Sequence, residues 1–221
     1  MSNLKKECKN MTNANKFISN ILKSCNNDQN IENIIILELI KYHPTKQIKI
    51  DDIEWLKMKK RPPFNTEALF YKYKNNEKVD DISWKLCIKN LYGNYNRDKE
   101  YENDVNSGFR NESHIGTKKQ FFIDNTKLIE GKFMGVCNNC KIVTSDITTD
   151  HYPLPYKEIL NIFINENNIK LIDIDIFENE NFEIRMKNYE LANKWRIYHD
   201  NLANYRLLCK SCNSHFGCYN Y

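Results

Sequence analysis

Short apolar runs alternate with long polar stretches along the chain, and the spacing within each run predicts its element. Residues 31–43 (IENIIILELIKYH) predict a helix with Ile35, Leu37, Leu39 and Ile40 turned inward. His43-Pro44 ends it, because proline disfavours helical geometry in the residue before it. Residues 47–57 (QIKIDDIEWLK) alternate in part and predict a strand or strand-turn, and residues 67–74 (EALFYKYK) an aromatic-rich strand. Turns are expected at Pro62-Pro63 and at Asn75-Asn76. Residues 79–90 (VDDISWKLCIKN) place Ile82, Trp84 and Cys87 on one buried face. The Asn-rich residues 1–30 hold room for a short helix around 16–22 and little that would fix a core. Residues 93–119 are polar with few aliphatics, which predicts a linker or a long loop.

After this stretch the apolar pattern resumes. Residues 132–136 (KFMGV) lead into Cys137, and the β-branched run 141–149 predicts a strand or hairpin. Residues 156–168 predict a helix with Ile159, Leu160 and Phe163 on one face, and 170–176 alternate like a strand. Leu191, Trp195, Tyr198 and Leu202 recur at helical spacing through 187–204. The expected fold class is α+β. Its parts are a polar segment 1–30, a small α+β module 31–92, a linker or loop 93–129, and a C-terminal domain 130–221.

Charge divides the chain unevenly. Residues 1–132 carry 24 Lys and Arg against 18 Asp and Glu, and residues 133–221 carry 9 against 11. A basic first part beside an acidic second part fits a protein that grips phosphates with one and holds cations with the other. The N-terminal residues lack the apolar core of a secretory signal. The longest apolar stretch, 34–40, is interrupted by Glu38 and falls far short of the ~20 residues of a membrane span. With no such segment expected, the 8 cysteines point to an intracellular, reducing compartment and to metal ligation rather than disulfides.

The cysteines carry the strongest chemical signal. Cys137-x-x-Cys140 and Cys209-x-x-Cys212 are two knuckles that complete a tetrahedral Zn²⁺ site, and four thiolates leave no position open for water, so the zinc is expected to be structural. The 68 residues between the knuckles exceed the spacing of a simple zinc ribbon and imply an insert. Cys8, Cys25, Cys87 and Cys218 lack such pairing and read as structural or free thiols.

Between the knuckles lies Asp150-His151-Tyr152-Pro153-Leu154-Pro155, and the second knuckle is embedded in Asn204-Tyr205-Arg206-Leu207-Leu208-Cys209-Lys210-Ser211-Cys212-Asn213. With the first knuckle, Cys137-Asn138-Asn139-Cys140, these segments resemble the HNH (ββα-metal) endonuclease family over about residues 130–221. The resemblance implies a zinc-stapled ββα-metal domain with a helical insert that cleaves DNA to leave a 5′ phosphate and a 3′ hydroxyl. It implies His151 as general base, Asp150 and Asn213 as ligands of one Mg²⁺ or Mn²⁺, and Asn204 as the residue orienting His151. A neutral imidazole is a workable base near pH 7, and a carboxylate with an amide oxygen suits a hard cation. Two departures stand out: the 52 residues between His151 and Asn204, and Phe216 where many members carry a basic residue.

Other residues compete for roles. His199 follows Trp195 by four positions, where packing is the plainer expectation, and His215 lies off the motif. Arg206 and Lys210 are candidates for DNA-backbone contact. Residues 31–92, through LELIKYHPTKQIKI and DDISWKLCI, resemble a small domain of the plant chloroplast-development DCL proteins, also appended to the largest subunit of plant-specific RNA polymerases. That implies a nucleic-acid-associated module, in which Lys59, Lys60 and Arg61 are the expected phosphate contacts. The expected partner is DNA, with a homodimer as one arrangement and no membrane association. The alternatives are a non-catalytic zinc-knuckle module that binds nucleic acid and a zinc-dependent module that binds protein.

Overall fold

The computed structural model describes residues 2–25, 28–61 and 66–219, without the side chains of 61, 66 and 216–219. The Pro62-Pro63 turn and the side chains of Arg61, Phe216 and Cys218 therefore lie outside the described residues. The protein is a mixed α+β chain of two compact units, Met1–Glu100 and Tyr101–Tyr221.

In the first unit, helices α1 (Asn3–Glu7), α2 (Met11–Ser24) and α3 (Ile34–Ile40) precede strands β1 (Ile53–Arg61), β2 (Thr66–Tyr73) and β3 (Val79–Ile82), and helix α4 (Trp84–Leu91) follows. The strands form an antiparallel sheet in the order β1-β2-β3. Strand alternation sends Leu56 and Met58 into the core, while Trp55, Lys57 and Lys59 occupy the other face. The first 30 residues, expected to be polar and coreless, instead supply Leu4, Ala14, Ile18 and Leu22 to that core. Positions 14, 18 and 22 share one helical face, but Asn and Lys around them dilute the period. Asn10 and Asn33 cap α2 and α3 by accepting backbone N–H bonds, which gives the asparagines a structural use. On α3 the fully buried positions are Ile36, Leu39 and Ile40, with Ile35 and Leu37 at the margin.

The second unit includes most of helix α5 (Arg97–Ser113). It continues with α6 (Thr117–Asp124), strands β4 (Lys127–Ile129), β5 (Lys132–Val136), β6 (Val143–Thr144) and β7 (Ile147–His151), and helix α7 (Tyr156–Glu166). After these come β8 (Ile176–Glu178), β9 (Ile184–Met186), α8 (Tyr189–Leu202), β10 (Tyr205–Cys209) and α9 (Lys210–Tyr219). The expected linker is thus mostly helix. Its buried stripe, Val105, Gly108, Phe109 and Glu112, contains only two large apolar residues, so periodicity concealed it. The Glu112 carboxylate is buried beside Arg185 at 3.2 Å and Arg196 at 3.9 Å, which makes a charged residue tolerable there. Residues 170–176 also differ from expectation, with a 3₁₀ turn over Leu171–Asp173 before β8 begins.

The connection between β7 and β10 forms the core of this unit rather than an appendage. Ile159, Leu160 and Phe163 of α7 and Trp195 of α8 pack with Val105 and Phe109 of α5. Trp195 Nε1–H donates to the Phe109 carbonyl at 2.7 Å, satisfying the one polar atom of a fully buried ring. On this base, β7 and β10 pair antiparallel with His151 opposite Tyr205 and Asp150 opposite Arg206. Helix α9 follows β10 without a loop.

His43 at the end of α3 accepts backbone N–H bonds at Nδ1 from Lys46 (3.1 Å) and Thr45 (3.4 Å). Burial, then the Lys46 charge, lowers its pKa to about 4, against the opposing pull of Asp80. The unfolded chain therefore binds the extra proton as pH falls through about 6.5, before the folded one does. Stability is expected to decline from about pH 6.5 to about pH 4. His43→Asn keeps an acceptor but cannot titrate, so it should remove the His43 share of that decline and make it shallower in urea unfolding of the full chain.

Candidate active site

Two knuckles bring four thiols together. The Sγ atoms of Cys137, Cys140, Cys209 and Cys212 all lie within 4.8 Å of one another. The Cys140–Cys209 separation is 3.8 Å. Thiolates at ~2.3 Å around a tetrahedral zinc stand about 3.8 Å apart, so this edge fits the ion. Burial raises the Cys137 pKa, but N–H groups from Cys209, Cys140 and Asn139 outweigh it and draw it down to about 6. The Cys209 thiol is helped by the Cys212 N–H, yet its thiol neighbours and burial push it up to about 11. One thiolate is favoured and further ones resisted, until a cation neutralises them and releases their protons. The four cysteines can hold a metal such as zinc, and their number leaves it no open position.

The first knuckle is fixed by Asn138. Its N–H donates to the Leu207 carbonyl at 2.8 Å, and its Oδ1 accepts from the Leu207 N–H at 3.0 Å. One residue thus satisfies both backbone groups of Leu207 and ties the knuckle to β10.

Beside this cluster, β7, α5, α6, α7 and the start of α9 enclose a cleft of ≈ 830 Å³. Asp150, His151 and Asn213, expected to act together, all line it. Arg110, His114 and Lys118 line it too, from the segment expected to be a loop. The Lys118 side chain makes no hydrogen bond or ion pair among the described residues. Burial and then the Arg110 charge lower its pKa, while Asp150 opposes them. Arg110 lies over the Tyr156 ring at 5.3 Å.

Asp150 Oδ2 accepts from Arg206 Nε and Nη2, each at 2.9 Å. Oδ1 makes no hydrogen bond among the described residues. Arg206, expected at the DNA backbone, is therefore a partner of Asp150, and its guanidinium also lies 4.3 Å from the Tyr152 ring centroid. Lys210 is exposed at the start of α9, as is His215 further along it. In the first unit Lys60 is exposed and Lys59 stacks over Trp55 at 4.5 Å.

His151 is partly buried, with its ring against Tyr156, His199 and Tyr205. Burial, then Lys118, His199, His114 and Arg110, lower its pKa to about 3, so the imidazole is neutral at pH 7. Its Nε2 lies 3.0 Å from His199 Nε2. The expected partner, Asn204, has an exposed side chain and contributes its backbone carbonyl, which accepts from the Tyr152 N–H at 2.9 Å. His199 is the residue that sequence reasoning set aside. Its spacing from Trp195 did signal a buried face, but not that β7 ends against it.

A family model described as "Protein of unknown function (DUF3223)" matches residues 19–88. The match lies within the first unit and overlaps the expected module 31–92, extending it back into α2. No curated protein and no solved structure matches the chain. No helix among the described residues is long and apolar enough to cross a membrane.

Zinc should be recovered with the purified chain in equimolar amount by elemental analysis. Its removal by a strong chelator, or Cys209→Ser, should lower the melting temperature, and readded zinc should restore only the chelated protein. Asn138→Ala leaves the Leu207 N–H without its acceptor and should cost about 1–3 kcal/mol in chemical unfolding.

Proposed function

We propose that the second unit is an HNH-type endonuclease that hydrolyses DNA phosphodiester bonds with one divalent metal and His151 as general base. The observation that carries this reading is the common cleft lined by Asp150, His151 and Asn213, which come from two elements remote in sequence. The β7-β10 pair followed directly by α9 supports a ββα arrangement, and the four-thiol cluster at its base supports a structural zinc.

The residues present suit Mg²⁺ or Mn²⁺, because a carboxylate oxygen free of hydrogen bonds among the described residues and an amide side chain face one polar cleft. Asp150 through Oδ1 and Asn213 through its amide oxygen would hold the ion. Bound there, it would supply Lewis-acid stabilisation of the charge on the phosphate and the departing 3′ oxygen. Arg206 holds the opposite carboxylate oxygen and so sets the orientation of Asp150. Neutral His151 accepts the proton of the attacking water. Arg110 and Lys118 add positive charge, complementary to a phosphodiester. Lys59 and Lys60 in the first unit, with Lys210 in the second, extend the basic groups available to the DNA backbone.

One observation favours the alternative of a zinc-held module that binds nucleic acid without cutting it. The Arg206 guanidinium already offsets the Asp150 charge on which a cation would draw. Incubation of the full chain with supercoiled plasmid and Mg²⁺ or Mn²⁺ separates the two. Nicking is expected, with a loss of about 10²–10⁴-fold in His151→Ala and retained DNA binding. Binding by both proteins with no nicking by either would reject the nuclease reading in favour of the alternative.

A further inference from the structure

The hydrogen-bond geometry points to His199 and Asp200 as positioning residues that hold His151 in the tautomer protonated at Nε2, leaving Nδ1 as its proton-accepting nitrogen. The functional meaning rests on the nuclease reading, but the tautomer itself does not.

The assignment follows from what each group can donate. A carboxylate only accepts. Asp200 Oδ1 receives Thr117 Oγ1–H at 2.9 Å and lies 3.3 Å from His199 Nδ1. His199 therefore carries its proton on Nδ1 and presents a lone pair at Nε2. That atom lies 3.0 Å from His151 Nε2, so the bond forms only if His151 donates from Nε2. The opposite assignment turns the His199 Nδ1 lone pair toward the carboxylate, setting two acceptors against each other. A doubly protonated His199 would satisfy both contacts, but the residue is 0% exposed, and burial disfavours the charged ring. Nδ1 of His151 makes no hydrogen bond among the described residues.

The chain of bonds runs on from Asp200 through Thr117 to Tyr205. Thr117 gives its proton to Asp200, so the contact of 3.2 Å between Thr117 Oγ1 and the Tyr205 hydroxyl has Tyr205 as donor. Tyr205 pairs with His151 across the two strands, and its ring lies 5.1 Å from the imidazole. Gly116 leaves room for this arrangement, since a Cβ there would stand 2.5 Å from Asp200 Oδ2. His151 is thus set by α8 and the start of α6 rather than by the Asn204 side chain.

The test uses the full chain labelled with ¹⁵N-histidine and loaded with zinc, read by NMR without Mg²⁺ or Mn²⁺. His151 is identified as the signal pair missing from His151→Gln. Its Nε2 should be the protonated, pyrrole-type nitrogen and its Nδ1 the pyridine-type one. His199→Gln places an amide oxygen near the Nε2 position and should keep this pattern. His199→Phe keeps a ring against Trp195 but removes the acceptor, so the preference for Nε2–H should be lost. In plasmid nicking, His199→Phe should lower kcat about 10–100-fold with KM unchanged, and His199→Gln should recover most of it. Should His199→Phe fail to fold, Gly116→Ala displaces Asp200 without touching either imidazole and should weaken the same preference. A wild-type His151 protonated at Nδ1, or equal spectra for the Gln and Phe variants, overturns the proposal. The predicted tautomer in a protein that nicks no plasmid leaves the assignment standing and removes only the nuclease reading.

Discussion

Closure of the four-thiol cluster is the constraint on which the second unit depends. Cys137 and Cys140 precede β7, while Cys209 ends β10 and Cys212 lies in the first turn of α9. Gathering their sulfurs within 4.8 Å fixes where β10 ends and where α9 starts, and so where Asn213 stands relative to β7. The thiols resist sharing negative charge, which makes a cation the natural means of completing the cluster. Asn138 supports the same joint without a metal, because it occupies both backbone groups of Leu207.

A second layer of control comes from the segment between the paired strands. Its helices supply Phe163 and Trp195 to the core, and α8 carries His199 to the end of β7. Helices α5 and α6 complete the surroundings with Arg110 and Lys118. The cleft is therefore electrically divided. A carboxylate lies on β7, cationic groups lie on α5 and α6, and the neutral imidazoles of His114 and His151 line the same cleft. On the proposed nuclease reading, such a division would suit an anionic substrate that also requires a cation.

The sequence made some of this legible, for identifiable reasons. The paired CxxC spacing announced the thiol cluster, because thiolate geometry demands tight turns. Strong apolar stripes announced α7 and α8. The α5 stripe stayed hidden because Gly108 and Glu112 fill buried positions, and the carboxylate is tolerated only through two arginines remote in sequence. His199 looked like packing and does pack; its contact with His151 spans 48 positions and leaves no local signal. Arg206 looked like a surface cation, and strand register alone brings it opposite Asp150. Local pattern reports what a residue can do, whereas register and long-range pairing decide which partner it meets.

The insert between the two central strands also sets an order of events. Joining β7 to β10 closes a loop whose length-dependent entropy is roughly 3–4 kcal/mol, a cost that falls if α7 and α8 condense on α5 first and shorten the effective path. The strand pair is then a late, long-range step of folding, slow by the standard of local helix formation. A chain in which β7 and β10 are unpaired leaves Asp150 without Arg206 opposite it. The groups that line the cleft would then come together in one step, with the last closure.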